Sequence, residues 1–588
     1  MKKRILFLMV SAVFAVSCSL DKFPLDRDTV DSYFKDEEQL QNISNTFYDD
    51  LFDGPFYDDE SDICFKTSLP SLLRGGNLRT VPSSGGGWTW GTLRNINNML
   101  DNIHRCDNES VRIKYTAVAR FFRAYFYFLK VRDFGDVPWY DHELSVTEKD
   151  ELYKARDSRD FVVTKMIEDI DYAIRYLPDE ANAYRVTKWT ALAFKSRFCL
   201  FEGTWRKYHG NGNMAHDADY YLKQAADAAD EFISTSPYRI YGTGKPDTDY
   251  MMLFASQNAV TEEIILAKNY SLALSISHFG TYDTFGQNKR AYNKKFVDSF
   301  LMKDGSRFTD RDGWETMEYY DQVEDRDPRL AQIIRCPGYH RIDDDVQYAP
   351  DFGNTCTGYQ VVKYAQSYNI LDMNWAASDN DLPIFRAAEV YLNYAEAMAE
   401  RTDVSITQDD IDKSINPLRT RAGMPGLDLK KANADPCPFM SSSLYGYSNV
   451  SGENKGVILE IRRERTIELT QEGDFRWYDL MRWKEGKCIE QGLYGMYFPG
   501  TGEYDLDRDG KADVCIYEGD EIPETEAGNI LKLGNTVILS GDSDGGYVDP
   551  HRKTQHIFDE ARDYLFPIPS EDLAINGNLV QNPGWTKK

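Results

Sequence analysis

"ARFFRAYFYFLKVRDFGDVPWY" runs from Ala119 to Tyr140. Together with the residues just before it, it is apolar nearly all round from Ala117 to Leu129. A helix without a polar stripe has to be covered on most of its faces. This stretch therefore predicts a buried central helix, stopped by Gly135 and Pro138. A second helix follows, with Phe161, Ile167, Ile170, Ile174 and Leu177 at spacings of three and four before Pro178. Further helical patterns cover residues 36–51, 93–103, 188–201 and 215–233.

From 236 to 381 the character changes to Gly, Asp, Asn and aromatics, with short strand-like pieces such as "EEIILAK". Helices resume in "IFRAAEVYLNYAEAMAE" (Ile384–Glu400), "DDIDKSINPLRTRAG" (Asp409–Gly423), "VILEIRRERTIELTQEG" (Val457–Gly473) and "DFRWYDLMRW" (Asp474–Trp483). Successive hairpins with small–large packing predict a mostly α fold: a tetratricopeptide-like scaffold carrying an irregular, loop-rich half, although no strict repeat period is present. Residues 486–562 are loop-rich again.

The N-terminus has the form of an export signal. Lys2, Lys3 and Arg4 precede a twelve-residue apolar run, Ile5–Val16, that is too short to span a bilayer. It ends in Ala15-Val16-Ser17-Cys18, which resembles a bacterial lipobox with Cys18 as the lipidated residue. An ordinary signal peptide with a chance cysteine is the alternative. The expected organisation is a signal peptide at 1–17, a lipidated tether at 18–35, a helical region at 36–235 and a second region at 236–588 packed against it. Removing the three cations takes the formal charge from −27 to −30. Such a surface repels nucleic acid and disfavours strongly anionic polysaccharide. The other eight cysteines form no CxxC pair, so zinc and redox chemistry are unsupported, while disulfides and buried thiols both remain open.

Chemistry-bearing motifs are few. Gly541–Gly545 matches G-x-S-x-G, but no helix can follow it, so a serine hydrolase is rejected. Glu464, Glu468 and Glu472 share one helical face among Arg462, Arg463 and Arg465, with Arg476 and Arg482 following, which reads as ion pairing between adjacent helices and not as a glycosidase pair. No catalytic residue is assigned. Trp88 and Trp90 follow three glycines at alternate positions, so an extended chain would aim both indoles one way and form a platform for pyranose rings. Burial against the following helix is the competing reading. Tyr282, Phe285, Trp314, Tyr319, Tyr320 and Trp375 are further aromatic candidates in the loop-rich middle. Asp505, Asp507, Asp509 and Asp513, with a backbone carbonyl from Lys511, have the spacing of a calcium loop. Ile516 stands where an EF-hand has its closing Glu, leaving Glu518 or Asp520 to complete the shell. One structural calcium or a solvated acidic turn are the two readings.

Six ordered segments resemble the SusD/RagB family of nutrient-binding outer-membrane lipoproteins. They are the lipobox with "LDKFPLD" and "NTFYDDLF"; "ARFFRAYFYFLKVRDFGDVPWY"; "FRAAEVYLNYAEAMAE"; "INPLRTRAGMP"; "RRERTIELTQEGDFRWYDLMRW"; and "YLFPIPSEDLAINGNLVQNPGW". The resemblance implies four tetratricopeptide-like helix pairs and a surface lipoprotein capping a SusC-like TonB-dependent transporter. Its ligand would be an oligosaccharide or, as in some members, a peptide. In that family, sugar-binding aromatics occur before the second N-terminal helix, the region of Trp88 and Trp90, and in the irregular middle.

Overall fold

The structure is a computed structural model that describes residues 33–52, 61–210, 212, 214–285, 289–367 and 376–585. Cys18, its tether up to residue 32 and Trp375 lie outside these residues, as does the side chain of Phe285. Ten helices make the scaffold: α1 (Glu37–Leu51), α2 (Gly91–Asn102), α3 (Glu109–Phe134), α4 (Arg159–Tyr176), α5 (Lys188–His209), α6 (Ala218–Thr235), α7 (Ala387–Glu400), α8 (Gln408–Arg421), α9 (Lys455–Glu468) and α10 (Phe475–Arg482). Six of their starts, those of α1, α3, α4, α5, α6 and α8, are capped by short polar side chains that accept orphan N–H groups. Asp36 accepts from Gln39, Ser158 from Phe161, and Thr187 and Thr407 form reciprocal capping boxes.

α3 is the buried helix its sequence predicts: every residue from Ala117 to Phe128 except Arg120 is buried. Each enclosed Phe contributes about 1.5–3 kcal/mol. Gly135, at φ +74°, ends the helix with its N–H on the Val131 carbonyl. Arg123 is accommodated by a bidentate pair with Asp169 of α4, at 2.6 and 2.8 Å. Packing then runs along the chain, α3 on α4, α4 on α5 and α5 on α6. It continues from α6 to α7, although some 150 residues separate them in sequence, and α7 packs on both α8 and α9. No helix of the described residues is long and apolar enough to cross a membrane.

The intervening segment and the part after α10 form a second core around Phe254, Ile264, Phe296, Ile334, Phe498 and Ile516. Its sheets are small. β1 (Cys64–Phe65) pairs with β3 (Ala291–Tyr292), β2 (Ile264–Lys268) with β4 (Leu382–Arg386), and β5 (Tyr497–Phe498) with β9 (Gly546–Tyr547), all antiparallel. β6 (Gly502–Tyr504), β7 (Val514–Tyr517) and β8 (Asn529–Lys532) form a three-stranded sheet. All eight cysteines among the described residues are free thiols.

Buried charge fastens the two cores together. α9 stops at Glu468, so Glu472 lies beyond the helix, and the partners of Glu464, Glu468 and Glu472 come from distant segments instead of the neighbouring arginines. Arg386 reaches Glu468 and Glu263 at 2.8 Å and Glu472 at 2.6 Å, and Arg329 reaches Glu468 at 3.0 Å and Glu464 at 3.2 Å. Burial alone would raise the Glu468 carboxyl; Arg421, Arg386 and Arg329 together hold it well below the usual range. Asp62 behaves alike: burial opposes its charge, but Arg476 and Lys295 bring it down to about 2.

Arg386→Met, which takes a shared cation from three buried glutamates, is expected to lower unfolding free energy by about 3–5 kcal/mol in a denaturant titration. The depressed carboxyls set the acid response. Their stabilisation is complete above the unfolded values near pH 4 and is lost as pH falls through the folded ones. For Asp62 that window is about pH 4 to about 2. The melting temperature should fall there, and Asp62→Asn, starting lower, should fall less.

Candidate functional site

The loop before α2 is shaped by glycine. Gly85, Gly86 and Gly87 have φ of +73°, +57° and +85°, a left-handed run that residues with a Cβ rarely adopt. The Trp88 N–H returns to the Gly85 carbonyl at 2.9 Å. The Lys130 ammonium donates to the Gly87 carbonyl; burial brings Lys130 down to about 8. Across the loop, the N–H groups of Ser570 and Glu571 hold the Pro82 and Ser83 carbonyls, each at 3.0 Å.

This curl corrects the parallel platform expected of Trp88 and Trp90. The chain is not extended there, because Trp90 already forms the N-cap of α2 with ψ of 2°. The two rings meet edge to face at 5.3 Å and 85°. Trp88 is 5% exposed and packs on Phe134 at 4.9 Å, so its role is in the core. Trp90 is half-buried, edge-on to Tyr140 at 5.7 Å.

Trp90 and Tyr140 instead wall a groove of ≈ 420 Å³, closed by Tyr153 and by the short helix Ser570–Ile575, with Arg94, His142 and Asn576 along it. Asn97 fixes the segment around Tyr140 by donating to the carbonyls of Tyr140 and His142, at 2.9 and 3.1 Å. Arg94 pairs with Glu143 at 2.8 Å, and His142 lies 3.0 Å from both Asp141 and Glu148, whose hydrogen bonds raise its pKa. Flat rings beside exposed hydrogen-bonding groups suit a sugar ring, whose C–H face stacks while its hydroxyls bond. Tyr140 was visible in "GDVPWY"; Tyr153 and Asn576 carry no local sequence signal.

The other aromatics are not gathered here. Tyr319 is 3% exposed with its hydroxyl on the Arg335 carbonyl, which corrects its assignment to a ligand surface. Tyr320 is half-buried under the Arg508 guanidinium at 4.1 Å. Trp314 packs edge-on to Phe439 at 5.3 Å, and Tyr282 is half-buried on the short helix Gly280–Phe285. Ser543 sits exposed on a 3₁₀ turn, not at a strand-to-helix elbow.

The acidic loop connects β6 to β7 and touches Tyr320 through Arg508, which also pairs with Asp321 at 2.6 Å. Carboxylate oxygens of Asp505, Asp507 and Asp513 lie within 4.8 Å of one another. Asp509 departs from the expected set: its carboxylate accepts from the Lys511 N–H at 2.8 Å and lies 3.5 Å from the Lys511 ammonium. Asp520 departs too, pairing with Lys532 at 3.0 Å. One Asp505 oxygen is buried without a donor. Burial and the neighbouring aspartates raise Asp513 to about 6 despite the Leu506 N–H on it. Hard oxygen ligands with unrelieved repulsion fit a calcium ion.

The profile of the SusD family matches residues 231–585, and a second profile, described as starch-binding associating with outer membrane, matches residues 89–200. Two curated relatives are SusD-like proteins P2 and P25 of Formosa agariphila, each 23% identical. P2 aligns over 100% of both chains, and P25 over 70% of this chain and 72% of its own. Among solved structures, a SusD-like carbohydrate binding protein from Bacteroides fragilis superposes with a TM-score of 0.67 at 20% identity, over 93% of this chain and 99% of its own. A laminarin binding SusD-like protein gives 0.54 at 18% identity, over 94% and 100%.

Trp90→Ala and Tyr140→Ala are expected to weaken glycan binding by about 1–3 kcal/mol in calorimetry, by analogy with losses of ring stacking. Trp88→Ala should act instead on stability, by about 3–5 kcal/mol in denaturant unfolding. Equal binding losses with no stability difference would return Trp88 to the ligand surface.

Proposed function

Since the chain belongs to the SusD family, we propose that it is a non-enzymatic, glycan-capturing lipoprotein of the outer-membrane surface. In this reading it is lipidated at Cys18, takes up oligosaccharide and presents it to a SusC-like TonB-dependent transporter. The observation that carries the reading is the SusD profile across residues 231–585. The groove beside Trp90 supplies ring faces and hydrogen-bonding side chains of the kind a saccharide requires. The names of the starch-binding profile and of the carbohydrate- and laminarin-binding relatives agree with it. The formal charge of −27 favours neutral or weakly charged glycans. A single calcium held by Asp505, Asp507 and Asp513 braces the β6–β7 loop against Tyr320 in this proposal.

Calorimetry against a panel of neutral oligosaccharides beside a peptide mixture tests the ligand class: heat from glycans alone is expected, and heat from peptides alone would move the protein to the peptide-binding branch. Product release from polysaccharide on long incubation, abolished by a carboxylate substitution, would make it a glycosidase. Co-purification of a TonB-dependent transporter from detergent-solubilised outer membrane tests the partner.

Calcium is expected to raise the melting temperature, with extracellular-type affinity of about 10⁻⁴–10⁻³ M. Without metal, the raised pKa of Asp513 means that protonation stabilises the loop as pH falls from about 6 toward 4. Calcium stabilisation should therefore fade below pH 6. An unchanged melting point after chelation would leave only an acidic turn.

A further inference from the structure

A second cavity, of ≈ 540 Å³, lies across the glycine loop from the Trp90 groove: Pro82 and Gly86 line it, whereas Trp88 and Trp90 line the first. Its remaining wall includes Leu78, Thr80, Trp477, Phe566 and Trp585. Within that wall Arg79 is enclosed by rings, its guanidinium 5.8 Å from the centre of Trp477 and 5.4 Å from those of Phe566 and Trp585. Arg79 uses Nη1 for Asp563, at 3.1 Å to the carbonyl and 3.0 Å to the carboxylate.

Two donors at this cavity have no acceptor. Arg79 Nη2 and the indole Nε1 of Trp477 are both buried and both unpartnered, in residues only 7% and 3% exposed. Three other buried indoles are satisfied: Trp189 donates to the Asp179 carbonyl, Trp483 to Glu396 and Trp585 to the Leu565 carbonyl. An unmade buried hydrogen bond is costly, so two on the wall of one cavity call for an oxygen acceptor.

The geometry points to a second sugar subsite in this cavity, in which a pyranose ring lies against Phe566 and Trp585 and offers an oxygen, hydroxyl or carboxylate, to Arg79 Nη2 and Trp477 Nε1. Both donor atoms are buried within residues that line the cavity, so binding in this proposal includes a side-chain shift that uncovers them. The proposal rests on the carbohydrate-binding reading and extends it, because a chain of sugar units lying across the glycine loop occupies both sites. A carboxylate makes the stronger, charge-assisted bond to a guanidinium, and here it is opposed by the exposed Asp474 carboxylate in the same lining and by the Asp563 carboxylate already on Arg79.

The test is the ¹⁵N–¹H indole resonance of Trp477, assigned with Trp477→Phe, during titration of the whole protein with an oligoglucose and an oligoglucuronate of equal length. A saturable shift of this resonance is expected, lost in Leu78→Trp, which plugs the cavity from a residue 51% exposed and leaves the Trp90 response intact. Binding about tenfold tighter for the acidic chain identifies the accepting oxygen as a carboxylate, and equal affinity identifies a hydroxyl. Arg79→Lys should abolish the shift; if that variant does not fold, Leu78→Trp carries the test. A Trp90 response with Trp477 silent overturns the second subsite and leaves the first standing. Silence of both resonances overturns the second subsite and the carbohydrate reading together.

Discussion

Arg386 stands where β4 becomes α7, and its guanidinium is shared by Glu263, Glu468 and Glu472. These carboxylates belong to the entry of β2, the end of α9 and the turn beyond it, so a single cation ties the helical stack to the loop-rich half. Arg329 and Arg421 share Glu468 with it, and Lys363 takes up Glu472 at 2.8 Å. Charges this deeply buried are stable only as a complete set, because each loses its hydration and depends on the others for compensation. The network therefore fixes how the halves meet more than it adds net stability.

That fixed junction lets the surface features be irregular. The Ser83–Gly87 loop has no regular structure, yet it is held from both sides: by Lys130 of the buried helix α3, and by the N–H groups of Ser570 and Glu571 from the far end of the chain. The Trp90 groove is likewise assembled from the loop, the segment around Tyr140 and the helix Ser570–Ile575. The proposed glycan capture gains from such construction, since walls held in place from both sides lose little entropy when a flexible sugar chain settles between them.

The helices were legible because their causes are local. An all-round apolar run, spacings of three and four, and Asn, Ser or Thr at the N-caps place α3, α4, α5 and α8 with little reference to anything distant. The site was legible only in part. Trp88 and Trp90 stood out by type and spacing, but alternation along an extended chain was the wrong geometry for a loop with three positive-φ glycines. Asp509 fitted the calcium spacing as well as its neighbours did, and Lys511 removed it from the cluster.

The sequence by itself determined the helical scaffold, the family to which its ordered motifs belong, and the residue types available for binding. Tertiary structure alone decided which of them meet. Tyr319 lies buried while its neighbour Tyr320 reaches the acidic loop, a distinction that no local rule makes. Glu464, Glu468 and Glu472 find their partners at positions 329, 363, 386, 419 and 421, not among the arginines beside them. The reason is physical: secondary structure follows from contacts a few residues apart, whereas burial, ion pairing and cavity walls depend on surfaces brought together across hundreds of residues.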